Sequence, residues 1–176
     1  MIDRILGALR LNPHTFEEVE ADTSATKQAA FVVIIVAIAT GIGGIGGGPL
    51  GFIMGIVSGL IFWAAWAFLT FIIGTTILKT PETHANWSQL ARTTGFAQAP
   101  GILKLFGFIP VLGGIIVFIA SVWQLVAMVI AVRHALDYTS TIRAVAVVII
   151  GWIVVMIIVG LFAVTFGGAL IAAGGP

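Results

Sequence analysis

Residues 100–132 read PGILKLFGFIPVLGGIIVFIASVWQLVAMVIAV. As one α-helix this stretch would rise about 50 Å, well past a hydrocarbon core of about 30 Å. It also carries Pro110 and, just beyond it, Gly113-Gly114. Proline lacks the N–H a helix interior needs, and its ring clashes with the preceding turn. A break over Ile109–Gly114 is therefore predicted. A third helix ends at Ile109, a tight turn follows, and a fourth helix runs from about Val111 to Leu136. The semi-polar segment Trp87–Ala99 must supply the rest of the third helix.

The remaining apolar runs fall into place around that break. Ala29–Ile45 gives the first span and ends at Gly46-Gly47-Gly48-Pro49. Leu50–Leu78 gives the second, long enough to tilt or protrude. Arg143–Ala173 gives the last. The expected fold is all-α: a polytopic membrane protein with a five-span helical bundle and an N-terminal interfacial amphipathic helix. Composition demands the same. The chain has 176 residues, 60% of them hydrophobic and 9% charged, against about 25% charged in soluble domains. It cannot cover a water-facing surface, which excludes a soluble enzyme and a nucleic-acid binder. Cysteine is absent, which removes thiol chemistry and Cys-ligated metals.

Eight of the charged side chains lie in residues 1–27, as Asp3, Arg4, Arg10, Glu17, Glu18, Glu20, Asp22 and Lys27. Residues 1–28 are read as a cytoplasmic polar segment and 29–176 as the transmembrane domain. Acidic residues separate the first basic residues from any long apolar run, so the first span is expected to serve as its own uncleaved insertion signal. With five spans and a cytoplasmic N-terminus, Arg4, Arg10, Lys27, Lys79, Arg92, Arg133 and Arg143 share one side, and the C-terminus lies outside. This is the positive-inside asymmetry. Four spans would explain the charges nearly as well, because the disputed turn carries none; length favours five.

Within residues 2–11, Ile2, Ile5, Leu6 and Leu9 recur at helical spacing opposite Arg4 and Arg10, as in a helix lying on the cytoplasmic leaflet. Thr15-Phe16-Glu17-Glu18 has capping-box spacing. The acids Glu17, Glu18, Glu20 and Asp22 read as a solvated face or as a dock for a basic partner. Gly41-Ile42-Gly43-Gly44-Ile45-Gly46 matches G-x-G-x-x-G in form only, since the fingerprint needs a soluble strand–turn–helix. Gly51, Gly55 and Gly59 instead recur every four residues and line one face of the second span. Small residues there let membrane helices approach closely, toward an internal helix or a second copy.

The stretch Arg92-Thr93-Thr94-Gly95-Phe96-Ala97-Gln98-Ala99-Pro100-Gly101-Ile102-Leu103-Lys104 concentrates polar groups in one span. Such groups are costly in lipid and mark candidate sites. Arg92, Thr94, Gly95, Gln98, Pro100 and Lys104 form the candidate binding set, a broken helix able to hold an ion or headgroup. The competing reading has both cations snorkelling to opposite interfaces. After Asp22 the only carboxylates are Glu82 and Asp137, both in loops, so a buried acid relay for ion coupling is not expected. Arg133 and Asp137 are spaced for an i,i+4 pair. His14, His84 and His134 are scattered, so no metal site is expected. No serine sits in G-x-S-x-G, and no catalytic set or cofactor is expected.

Leu11-Asn12-Pro13, Thr15-Phe16-Glu17-Glu18, the run Asp22–Gln28, Thr94-Gly95-Phe96-Ala97-Gln98-Ala99-Pro100 and Ser140-Thr141-Ile142-Arg143-Ala144-Val145 resemble prokaryotic members of the Yip family, relatives of the Ypt/Rab-interacting membrane proteins. Gly95–Pro100 is similar to the family's Gly-Tyr-Ser-x-x-Pro element, with Phe96 and Ala97 in place of Tyr and Ser. The resemblance implies a five-span bundle, a cytoplasmic N-terminus, no catalysis, and a role in membrane organisation or partner recruitment. The expected function is a non-enzymatic scaffold or adaptor in a prokaryotic inner or plasma membrane. Its partners would be lipids, other membrane proteins or itself, with no nucleic acid. The alternatives are an accessory subunit of a larger complex and a lipid or small-solute transporter.

Overall fold

A computed structural model describes residues 1–43 and 48–173, without the side-chain surroundings of residues 48–51, 55, 159, 162–163 and 165–173. Seven α-helices run in order: α1 Ile2–Leu9, α2 Pro13–Ala21, α3 Ala25–Gly43, α4 Gly48–Ile72, α5 Trp87–Phe96, α6 Leu112–Ala135 and α7 Thr141–Ala173. A π turn over Ile73–Ile77 extends α4, and a 3₁₀ helix over Ala99–Phe108 follows α5. Among the described residues four stretches are long and apolar enough to cross a membrane: Ala25–Gly43, Phe52–Ile77, Leu112–Ala135 and Thr141–Ile158. Their large apolar side chains point outward, among them Ile61, Phe118, Trp152 and Ile157. Helices that are apolar all round belong in lipid.

The third crossing is composite. Ten residues of α5 rise about 15 Å, and ten residues of 3₁₀ helix rise about 20 Å because that winding climbs faster per residue. Their summed contour is of the order of the ~30 Å hydrocarbon core, which makes this segment the candidate for a fifth span beside the four long ones. The break before α6 falls where Pro110 demands it. Leu112 N donates to Pro110 O at 2.8 Å and Gly113 N to Ile109 O at 2.7 Å, with Val111 at φ 69°. Gly113 is required there, because a Cβ on it would lie 2.0 Å from the Gly107 carbonyl oxygen.

The N-terminal helices do not lie loose. Gly7 faces Thr15 and Arg4 pairs with Glu18 at 2.8 Å, so α1 and α2 form an antiparallel hairpin. The hairpin runs along α6: Leu11 shares a shallow depression with Phe118, Val122 and Val126, while Glu17 meets His134 at 3.3 Å. Phe16 and Val19 are fully buried in the core that holds Leu90, Phe96, Val132 and Leu136. Tyr138 closes the same end, donating toward the carbonyls of Gly74 at 3.0 Å and Leu78 at 2.9 Å. The tight core thus sits where α3 and α7 begin and α4 and α6 end.

Three local expectations are corrected. The cap of α2 is Asn12, whose side chain accepts from His14 N at 3.1 Å. Pro13 fits the first helical position, where no N–H is needed, so the helix starts before Thr15 and no Thr15–Glu18 capping box forms. The capping box belongs to α5, between Asn86 and Gln89. Arg133 does not pair with Asp137 among the described contacts. It donates to the Tyr138 and Thr139 carbonyls and to Thr141 Oγ1, because Asp137 at φ 53° turns the chain back over the guanidinium. The acids of α2 and its C-cap are corrected only in having partners: Glu17 and Glu18 stay exposed, but Glu18 and Asp22 hold Arg4, Glu17 meets His134, and Glu20 accepts from Gln89 Nε2 at 3.0 Å.

Candidate functional site

The polar third crossing separates into two parts. In the first, Arg92 is only 3% exposed. Its Nε donates to Val19 O at 3.2 Å, one Nη donates to Ser88 Oγ at 3.2 Å, and the other donates to Glu20 O. These carbonyls belong to the last turn of α2, where backbone acceptors lack intrahelical partners. Arg92 therefore caps α2 from another helix and does not snorkel. Thr93 and Thr94 return their hydroxyls to the carbonyls of Gln89 and Leu90 within α5. Gly95 lets α3 close in, since a Cβ there would lie 2.7 Å from Ala29 Cβ. Trp63 Nε1 donates to Ala91 O at 3.0 Å and fixes α4 against the same face.

Charge around this end is strongly coupled to burial. Burial pushes the Glu20 carboxyl up to about 7; the Asp137 charge raises it further, Arg92 opposes, and Glu17 adds a smaller push. Asp22 is held down at about 2 by hydrogen bonds from Ser24 and Arg4.

The second part begins at Gln98. Gln124 Nε2 donates to Gln98 Oε1 at 2.6 Å and lies 3.2 Å from Gln98 O, bridging α6 to the corner where buried Pro100 starts the 3₁₀ helix. Beyond it lies a cavity of about 520 Å³ between α3, α4, the 3₁₀ helix and α6. Val33, Val36, Ala37, Phe52 and Phe62 make its apolar wall; Thr40, Ser58, Gln98, Gln124 and Lys104 bring the polar atoms. Gly59 also lines it, and a Cβ there would meet Ala37 Cβ at 3.4 Å, so this glycine faces α3 of its own chain. The surroundings of Gly51 and Gly55 lie outside the described residues.

Of the six candidate residues, the structure brings Gln98 and Lys104 to the cavity. It sets Arg92, Thr94 and Gly95 into the core beside α2 and α3, and leaves Pro100 at the corner between. Gln124 and Thr40 escape the sequence reading. Gln124 had a signal, as the lone amide in a long apolar run; Thr40, one hydroxyl near a helix end, had none. Among the described residues no group of three or more His, Asp or Glu side chains gathers as a metal site would require.

Fold and site together define an integral membrane protein, an all-helical polytopic bundle whose N-terminal hairpin is anchored on a polar, composite third segment. The chain belongs to the Yip1 family: the family model, described as the Yip1 domain, matches residues 6–169. That match takes in half of α1, all of α2, both parts of the third segment and nearly all of α7, in agreement with the resemblance carried by Gly95–Pro100 and the flanking motifs. No curated protein and no solved structure matches the chain significantly.

Proposed function

We propose that this protein is a non-enzymatic membrane scaffold or adaptor that presents its N-terminal hairpin, pre-folded against the bundle, to a protein partner at the cytoplasmic side of a prokaryotic cell membrane. One observation carries the reading: a buried cation of the membrane domain, Arg92, is committed to the carbonyls of α2. A buried charge is costly unless fully hydrogen-bonded, and here its bonds fasten a partner-facing element rather than line a reaction site. A recognition element held in its bound conformation avoids the entropy cost of ordering on association. Orientation is supported by the basic residues: Arg4, Lys27, Arg92 and Arg133 gather at the end where the hairpin docks, as a cytoplasmic face requires.

The test is co-purification from native membranes in mild detergent. Wild-type chain should retain a protein partner. Gly7→Leu, whose side chain would collide with Thr15, should open the hairpin and release that partner while the spans stay folded. A chain that travels alone, or a partner retained by the opened hairpin, overturns the proposal.

A further inference from the structure

We infer that the cavity between α3, α4, the 3₁₀ helix and α6 binds one amphipathic molecule with an anionic oxygen headgroup, a carboxylate or a phosphate, held at Lys104. The inference is independent of the adaptor reading. At about 520 Å³ the cavity has the size of a small-ligand site. Among the described residues the polar groups facing it are neutral or cationic: the Lys104 ammonium, the Gln98 and Gln124 amides, and the Thr40 and Ser58 hydroxyls, with no carboxylate. Among the described residues no hydrogen bond or ion pair reaches the Lys104 ammonium, whereas Arg92, Arg4 and Arg133 all have partners. A half-buried cation in a low-dielectric wall favours an anion beside it.

The winding of the third crossing aims this lysine. At three residues per turn, side chains at i and i+3 stack in one row, so Gly101, Lys104 and Gly107 share a line. The two glycines fix where that line points. A Cβ on Gly101 would strike Gln124 and Val36, and one on Gly107 would meet Gly43 and Val117. The row faces the groove between α3 and α6, so Lys104 projects between these helices instead of into open lipid. α-Helical winding would rotate each third residue about 60° away from that line. The backbones are pressed together at the same level, since a Cβ on Gly43 would lie 1.9 Å from the Lys104 carbonyl oxygen. Lys104 lies about 8 Å from the Phe108 end of the 3₁₀ helix, at the depth of a lipid headgroup or just below it. Val33, Val36, Ala37 and Phe62 supply the surface for a hydrocarbon chain.

The experiment uses the full chain in a neutral maltoside detergent, with dodecanoate, dodecyl phosphate, dioleoyl phosphatidate or uncharged dodecanol added, read by native mass spectrometry. Wild type should retain one dodecanoate or dodecyl phosphate and no dodecanol. Phosphatidate binding alongside them identifies a phospholipid with one chain in the cavity; its exclusion identifies a single-chain anion, and both outcomes support the site. Lys104→Gln should weaken the anions about tenfold or more, the scale of one charge-assisted hydrogen bond, while Lys104→Arg stays within a few-fold. Ala37→Phe fills the cavity without altering any charge and should also abolish uptake, which carries the test if Lys104→Gln fails to fold. Equal retention of dodecanol and the anions, or anion binding unchanged in Ala37→Phe, overturns the inference and leaves Lys104 a snorkelling cation.

Discussion

Replacing Arg92 by methionine keeps most of the side-chain bulk and removes the guanidinium that holds Val19 O and Glu20 O. A hydrogen bond from a charged donor contributes about 1.5–3 kcal/mol net. Two such bonds are lost, but water can reach the partly exposed rim at Glu20, so the lower end applies, about 3 kcal/mol. At about 1.4 kcal/mol per decade, docking of α2 should weaken roughly a hundredfold. The assay is hydrogen–deuterium exchange with mass spectrometry on detergent-solubilised protein. Amides over residues 16–22 should exchange about a hundred times faster in Arg92→Met, with the middle of α6 and the start of α7 unchanged. Arg92→Lys retains a charge that can reach one carbonyl and should recover about half of the lost free energy. Wild-type exchange over residues 16–22 in Arg92→Met would refute the capping role and with it the reason for a cation at that depth.

Gly113→Ala should lower the thermal midpoint by the equivalent of about 1–3 kcal/mol of overpacking, because its Cβ meets the Gly107 backbone, which cannot swing aside. Gly114→Ala, with nothing within 4 Å, should leave the midpoint unchanged, and equal losses at both positions would contradict the turn geometry. Glu20, raised to about 7 from an ordinary value of 4.5, holds its proton more tightly when docked than when free. Its contribution to docking is complete below about pH 4.5 and is lost as pH rises through about 7. Exchange over α2, corrected for intrinsic rates, should therefore accelerate between pH 5 and pH 8 in wild type, and Glu20→Gln should remove that acceleration. The chain has no cysteine, so single cysteines at Glu82 and Gly114 can be labelled cleanly. A third crossing puts them on opposite faces of the membrane, and labelling from one side would remove it.

The spans were readable because lipid imposes a long, charge-poor run, and the break at Pro110 because proline cannot serve a helix interior. Less was readable where contacts join distant residues. Glu17, Glu18 and Asp22 look solvated along the chain, and only the fold brings Arg4 and His134 to them. Arg92 stands out as a misplaced charge, yet nothing local says that its partners are carbonyls about seventy residues earlier. The glycine pattern was legible only in part. A helical template picks out the every-fourth spacing at Gly51, Gly55 and Gly59, of which Gly59 packs against α3 and the other two lie outside the described surroundings. Among the described residues the backbone also comes very close at Gly43 and Gly113, with Gly101 and Gly107 spaced for three residues per turn. The lining of the cavity was half visible: Gln98 and Lys104 are conspicuous in an apolar chain, whereas Thr40 is not.

The composite third crossing bears on how the chain is made. Residues 87–108 carry two cations, Arg92 and Lys104, and their second half is wound with poorer hydrogen-bond geometry than an α-helix. Such a segment should not leave the translocon for lipid by itself. Its partners are α3 and α4, already synthesised, and α6, which the ribosome delivers next. A nascent chain halted after residues 87–108 have left the ribosome but before α6 has should hold that segment at the channel, and emergence of α6 should release both as a pair.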